Sequence, residues 1–178
     1  KNKFEKFKKL LSRREKKEPI AYITNKKEFW KNNFYVNSDV LIPRPETELI
    51  VEEVLKNTNI YSSKKFLEIG TGSGCLVVSI IKERPKCFAT AIDISRKALN
   101  IAKFNAKMHH LINKINFVNI DIDKIQFNKY DFIISNPPYI NRFDLSRLDE
   151  SVKIFEPYIA LEAGIDGLRE ITKLIIKS

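Results

Sequence analysis

The chain has 178 residues, 43% of them hydrophobic, enough for one packed α/β-sized domain with a small appendage. No apolar run approaches bilayer-spanning length, the longest being Cys75 to Ile81, and the basic N-terminus lacks the apolar stretch of a secretory signal, so no membrane partner is expected. The net charge of +10 is local: residues 1–17 hold nine Lys or Arg against two Glu, the remainder 23 against 20, so the body is nearly neutral and nucleic acid is not a required partner.

The basic N-terminal segment predicts a helix with Phe4, Phe7 and Leu11 on one stripe, a solvated linker that docks by that stripe. Pro19 ends its signal. Ile20–Thr24, Glu28–Trp30, Phe34–Val36 and Val40–Ile42 are short, aromatic and β-branched, and predict a hairpin-like connector. In Leu41-Ile42-Pro43-Arg44-Pro45-Glu46-Thr47-Glu48, Pro45 suits the first position of a helix and Glu46 and Glu48 its positive end. Leu49, Ile50, Val54 and Leu55 are expected on the buried face.

From Lys65 the pattern alternates regularly. Strand Phe66–Ile69, a Gly turn and helix Cys75–Arg84 stopped by Pro85 come first. Strand Phe88–Ile92 precedes a helix capped by Ser95, with Ala98, Leu99, Ala102 and Ala106 on one face. Strands Ile115–Ile120 and Tyr130–Ser135 follow, then a loop from Asn141 to about Gly164 and a last helix, Leu168 to Lys177, capped by Asp166. Such alternation predicts an α/β fold, a parallel, doubly wound Rossmann-like sheet. Cys75 and Cys87 have no metal or redox spacing and read as reduced core thiols of a cytoplasmic protein; no metal is expected. Adjacent His109 and His110 suit a helix end. The missing Met and the final helical pattern lead us to expect a piece of a longer chain, its sheet incomplete.

Two stretches carry chemistry. Glu68-Ile69-Gly70-Thr71-Gly72-Ser73-Gly74 holds three of the chain's five glycines at a strand-to-helix junction, where a backbone must let a ligand approach. Asp93 ends the next strand, where a carboxylate can accept the hydroxyls of a ribose. A dinucleotide site would space its third glycine one residue later, so a nucleoside without phosphates is favoured, and S-adenosylmethionine fits. Glu68 lies either near the cationic methionine end of that ligand or tied to loop N–H groups; Asp121 either reaches the adenine or forms a turn. The second stretch, Asp131 to Tyr139, is a strand ending in Ser135-Asn136-Pro137-Pro138-Tyr139. Two fixed φ angles make a stiff corner. It suits gripping a planar NH₂, with the Asn136 side-chain oxygen and the Pro137 carbonyl accepting its hydrogens and Tyr139 stacking on its face.

With these pieces the chain resembles the class I S-adenosylmethionine-dependent methyltransferases, and within them the peptide chain release factor N(5)-glutamine methyltransferases. The resemblance covers about residues 12 to 170 and rests on EPIAYI (18–23), EFW (28–30), VLIPRPETE (40–48), EIGTGSGC (68–75), AIDIS (91–95), SNPPYI (135–140) and FEPYIALEAGIDGL (155–168). It implies methyl transfer from S-adenosyl-L-methionine to the glutamine amide in the Gly-Gly-Gln loop of release factors. Gly70, Thr71, Gly72, Ser73 and Gly74 would wrap the methionine part, Asp93 would hold the ribose, and Ile122 would flank the adenine where an aromatic residue is more usual. Asn136 would touch cofactor and substrate; Asn136, Pro137, Pro138 and Tyr139 would clamp the glutamine, with Asn136, Pro137 and Tyr139 as catalytic residues. Asn25 stands where glycine is more usual, at the cost of a strained turn. The implied organisation is a basic linker helix over 1–18 ending an N-terminal helical domain, a β-hairpin connector over 19–44, and a methyltransferase domain over 45–178 whose last strand is an exposed edge. A nucleobase amino-methyltransferase, on adenine or cytosine, and a cofactor-binding protein without turnover stand as alternatives.

Overall fold

The structure, a computed structural model, describes residues 2–125 and 129–177; Lys1 and Ser178, the outermost positions of the expected linker helix and methyltransferase domain, lie outside the described residues. The elements in order are α1 (Asn2–Glu15), α2 (Ile20–Thr24), β1 (Lys27–Phe29), β2 (Asn32–Phe34), α3 (Glu48–Lys56), β3 (Lys65–Ile69), α4 (Cys75–Glu83), β4 (Phe88–Asp93), α5 (Arg96–Met108), β5 (Ile115–Asn119), β6 (Phe132–Ser135), α6 (Glu150–Phe155) and α7 (Arg169–Lys177). The last four strands form one parallel sheet in the order β5-β4-β3-β6. β3 sits between β4 and β6, with Ile69 opposite Ile92 on one side and Ser135 on the other. The order therefore reverses at β3, and a crevice opens above the carboxyl ends of the strands that flank the reversal.

Both faces of this sheet are covered, which is why its strands are apolar runs rather than alternating ones. On one face Phe66 packs with Phe29, Phe34, Val51, Val54 and the buried residues of α4; on the other, Leu67, Ile69 and Ile92 meet Ile122, Ile133 and Leu174. Ser95 caps α5 as expected, its Oγ accepting the Ala98 N–H at 3.2 Å, and Ala98, Leu99, Ala102 and Ala106 are all buried. Cys75 and Cys87 are free and buried. Among the described residues no helix is long and apolar enough to cross a membrane.

The region before β3 departs from expectation. Ile20–Thr24 is a helix, not a strand: the Pro19 carbonyl accepts the N–H of both Tyr22 and Ile23, so the proline that ends one helix starts the next. Five residues are too few for periodicity to separate helix from strand. Burial of Tyr22 decides, its hydroxyl donating to the Val40 carbonyl at 2.6 Å. α2 stops at Asn25, whose φ of 53° is the left-handed conformation that asparagine tolerates best after glycine. Its amide donates to the Val36 carbonyl at 3.0 Å, which offsets part of that cost. The hairpin is β1 with β2 alone; the chain leaves it after Phe34, and Val40–Ile42 forms no strand.

Three smaller differences have local causes. Leu49 is 64% exposed, and Val51 takes the buried position beside Val54. A 3₁₀ turn over Pro45–Thr47 precedes α3 and rotates its face. The expected loop after Asn141 contains α6, six residues capped by Asp149, too short to show a helical period. The stripe of α1 does not dock: Phe4, Phe7 and Leu11 are 61%, 58% and 45% exposed, and the helix is tied down near its end, where Arg13 pairs with Glu18. β6 is the edge of the sheet among the described residues, as expected.

Candidate active site

A cavity of about 390 Å³ occupies the crevice at the carboxyl ends of β3, β4 and β6. Its wall includes Gly70, Thr71, Gly72 and Ser73 from the loop after β3, Asp93 after β4, Ile122, and Asn136, Pro137 and Pro138 after β6. Strand order brings these segments together although up to 68 positions separate them, Gly70 from Pro138. Gly74 and Tyr139 stand outside the wall.

The Gly loop needs its residue type for two different reasons. At Gly74, which precedes α4 with φ 78°, a Cβ would lie 3.2 Å from Ala102, so glycine lets α4 and α5 approach. At Gly70 and Gly72, both with positive φ, no heavy atom lies within 4 Å of a Cβ position, so the backbone faces open space where a ligand can lie against it. The loop is fixed by Asp93, which accepts the Gly72 N–H at 2.9 Å on Oδ2 and the Ser95 N–H at 2.8 Å on Oδ1. Each oxygen keeps a lone pair for a ligand hydroxyl. Burial pushes the Asp93 carboxyl up, and the two N–H bonds oppose that shift. Ile122 is 8% exposed and supplies the expected apolar wall; Asp121 reaches the cavity and also accepts the Asp123 N–H, so both of its expected roles are open to it.

Glu68 is tied down within the chain. It is 2% exposed, and Thr71 Oγ1 donates to its Oε2 at 2.5 Å. Burial pushes its carboxyl up to about 8, against the Thr71 bond, with the nearby Asp93 charge adding to the rise. The folded state therefore holds a proton that the unfolded chain releases near pH 4.5. Glu68 favours folding below that pH, and its contribution falls as pH rises from there towards 8. Thermal unfolding across this window should show a shallower decline in Glu68→Gln than in the unaltered chain, and parallel curves would contradict the assignment.

Asn105 carries no pattern signal, being a polar residue among the buried positions of α5, yet it joins three segments. Its Oδ1 accepts the Tyr35 N–H at 2.8 Å, and its Nδ2 donates to the carbonyls of Tyr35 and Ser73, both at 2.9 Å. The connector and the Gly loop are thereby held in one register. His109 has a plain structural place: Nε2 lies 2.9 Å from the Asn33 carbonyl, and its ring packs on Phe34.

At the second corner, Ser135 Oγ donates to the Ile69 carbonyl at 2.8 Å and Asn136 Nδ2 donates to Thr47 Oγ1 at 3.1 Å. Among the described residues no donor reaches Asn136 Oδ1 or the Pro137 carbonyl, so two acceptors are open. Tyr139 departs from its expected place, 62% exposed and off the cavity wall. The chain is drawn aside after Pro138 because Ile140 bonds with Leu161 and Ala163 in a parallel bridge to Glu162. Gly167 closes that contact: with φ 78°, a Cβ there would meet the Tyr139 carbonyl oxygen at 2.5 Å. Gly167→Ala should cost about 1–2 kcal/mol from the left-handed conformation alone, readable as a lower Tm, and the corner must shift as well. An unchanged Tm would show that the loop gives way freely.

A buried ion pair braces the corner from the other side. Glu156 Oε1 accepts from Arg44 at 2.7 Å, its Oε2 accepts the Ile42 N–H at 3.1 Å, and its side chain is 1% exposed. Glu156, Arg44, Thr47 and Gly167 were missed as individual residues. Their signal was membership in the LIPRPETE and FEPYIALEAGIDGL stretches, which fold against each other and against the Asn136 corner.

Comparison with known proteins agrees with this arrangement. The chain is 45% identical over 169 residues to a release factor glutamine methyltransferase of Coxiella burnetii, covering 93% of this chain and 58% of that protein. It is 39% identical over 166 residues to one from Buchnera aphidicola, covering 93% and 59%, and 38% identical to a bifunctional methyltransferase of Rickettsia typhi, covering 98% and 37%. The chain thus spans less than two thirds of each of these relatives. Among solved structures, the hMettl16 catalytic domain, crystallised with the MAT2A 3′UTR hairpin 6, matches 82% of this chain and 55% of its own at a TM-score of 0.63 and 21% identity, a likeness of fold. Residues 45–151, which hold the Gly loop, Asp93 and the Asn136 corner, match the family model of the methyltransferase small domain, and the chain belongs to that family.

Proposed function

We propose that the protein moves a methyl group from S-adenosylmethionine to the side-chain amide nitrogen of a glutamine, the one in the Gly-Gly-Gln loop of peptide chain release factors. The observation that carries the reading is the pair of open acceptors, Asn136 Oδ1 and the Pro137 carbonyl, on the wall of a cavity whose other wall is a Gly loop with its backbone bare. The names of the relatives favour a protein glutamine over a nucleobase as the NH₂ that enters.

The residues fit the cofactor. Gly70 and Gly72 offer a backbone without side-chain obstruction, Asp93 offers two carboxylate oxygens to the ribose, and Ile122 offers an apolar surface to the adenine. When bound, S-adenosylmethionine supplies an electrophilic methyl on a sulfonium, so the chain's own residues have only to prepare the nucleophile.

That preparation is the harder part, because the lone pair of an amide is delocalised. Asn136 Oδ1 and the Pro137 carbonyl accept the two hydrogens of the glutamine NH₂, hold it in one plane and raise electron density on nitrogen. As the new C–N bond forms, they also stabilise the positive charge that develops there. Holding the nitrogen in line supplies much of the rest. One N–H proton then leaves to water, and no side chain has to act as base. Tyr139, on the rim, contacts the incoming loop rather than the bound amide. In this reading residues 45–178 carry the chemistry, 19–44 brace the corner, and 1–18 form a linker. The protein works in the cytoplasm, where free Cys75 and Cys87 stay reduced.

The test is a methyl-transfer assay with release factor, DNA and tRNA offered separately and the product read by mass spectrometry. Methylglutamine in the Gly-Gly-Gln tripeptide is the expected result. Methylation of a nucleobase instead, or no binding of S-adenosylhomocysteine by calorimetry, would overturn the reading.

A further inference from the structure

We propose that Thr47 is a positioning residue that helps hold the Asn136 amide with its oxygen facing the cavity. The inference rests on the methyl-transfer reading above. A primary amide has two ends of similar size and opposite polarity, so half a turn exchanges acceptor for donor at the same point in space. A glutamine NH₂ arriving at the corner can use only one of these orientations. Oδ1 must face it, since the reverse sets two NH₂ groups against each other.

The geometry supplies that orientation. Asn136 Nδ2 donates to Thr47 Oγ1 at 3.1 Å, while Oδ1 points to no protein donor among the described residues. Thr47 is 8% exposed and lies on the cavity wall, so it supplies the acceptor that Nδ2 would otherwise seek in water. The carrier segment is anchored ahead of the contact. The Tyr22 hydroxyl holds the Val40 carbonyl, Glu156 holds the Ile42 N–H and the Arg44 guanidinium, and the Thr47 N–H donates to the Arg44 carbonyl at 3.1 Å. A residue 89 positions away along the chain is thus a fixed post beside Asn136. A hydroxyl can also donate, so Thr47 alone does not forbid the reversed amide. It stabilises the forward orientation, which is the one the substrate then completes.

The test compares Thr47→Val, which keeps the shape and removes the hydroxyl, with Thr47→Ser, which keeps the hydroxyl. One hydrogen bond of this kind corresponds to about a tenfold fall in kcat for Thr47→Val, with KM and S-adenosylhomocysteine affinity within about twofold, and Thr47→Ser should recover most of the loss. Wild-type kcat in Thr47→Val, an equally impaired Thr47→Ser, or a parallel loss of S-adenosylhomocysteine affinity would each overturn the proposal. A second readout needs no turnover: the side-chain NH₂ resonances of Asn136 in the S-adenosylhomocysteine complex. These should move in Thr47→Val and not in Thr47→Ser; signals unmoved in Thr47→Val overturn the role of Thr47. Failure of the unaltered protein to methylate release factor overturns the functional reading, and the two failures are therefore told apart.

Discussion

Asn136→Ala should lower kcat by about 10²–10³-fold, the usual loss when one preorganised partner of a charge-developing centre is removed. Its affinity for S-adenosylhomocysteine should change far less. Asn136 is on the cavity wall, its Oδ1 is open, and its amide nitrogen is occupied by Thr47, so the group lost is the acceptor that the proposed mechanism assigns to the substrate NH₂. The residues proposed to hold the cofactor, Gly70 to Ser73, Asp93 and Ile122, line other parts of the cavity wall, and none is hydrogen-bonded to the Asn136 side chain. Single-turnover kinetics and calorimetry measure the two quantities separately. Near-normal turnover in Asn136→Ala would remove the mechanism, and an equal loss in both quantities would make Asn136 chiefly a cofactor ligand.

Replacing Glu156 by alanine should destabilise the fold by about 2–3 kcal/mol. Breaking a buried ion pair by removing one partner costs about 3–5 kcal/mol when the survivor stays dry. Arg44 is 34% exposed and can turn to water, which reduces the figure. The Ile42 N–H loses its acceptor as well. For a chain of this size the expected fall in Tm is about 5–10 °C. Because Arg44 and Thr47 belong to the same short segment, turnover should fall more steeply than stability predicts at temperatures where Glu156→Ala is still folded. A Tm indistinguishable from that of the unaltered protein would show that the pair contributes nothing net.

How much of this was readable beforehand varied with the kind of signal. The alternation from β3 to β6 is a property of local runs, and every strand and long helix expected there is present within a residue or two of its expected bounds. Asp93 and Asn136 were legible as cavity residues because chemistry at the carboxyl end of a parallel strand is confined to few positions, whereas Ile122 came from the family resemblance alone. The segments before β3 were less so. Ile20–Thr24 is apolar and short, equally suited to either state, and burial of Val51 in place of Leu49 follows only once the 3₁₀ turn before α3 is known. Tyr139 was expected against the substrate because it adjoins Pro138, but the parallel bridge of Ile140 to Glu162 turns it outward, and that pairing joins residues far apart in the chain.

The amino-acid order alone is enough for the α/β class, for the Gly loop facing a nucleoside ligand and for a rigid acceptor corner after β6, since each follows from local periodicity or from the fixed conformations of glycine and proline. It is silent on how that corner is held. Thr47 beneath the Asn136 amide, Glu156 under Arg44, Asn105 between Tyr35 and Ser73, and Gly167 against the Tyr139 carbonyl are contacts across 32 to 112 residues or, at Gly167, across a bridge between two loops. No periodicity encodes such contacts, because each exists only after the sheet has brought the carboxyl ends of its strands to one edge and closed the flanking segments over it.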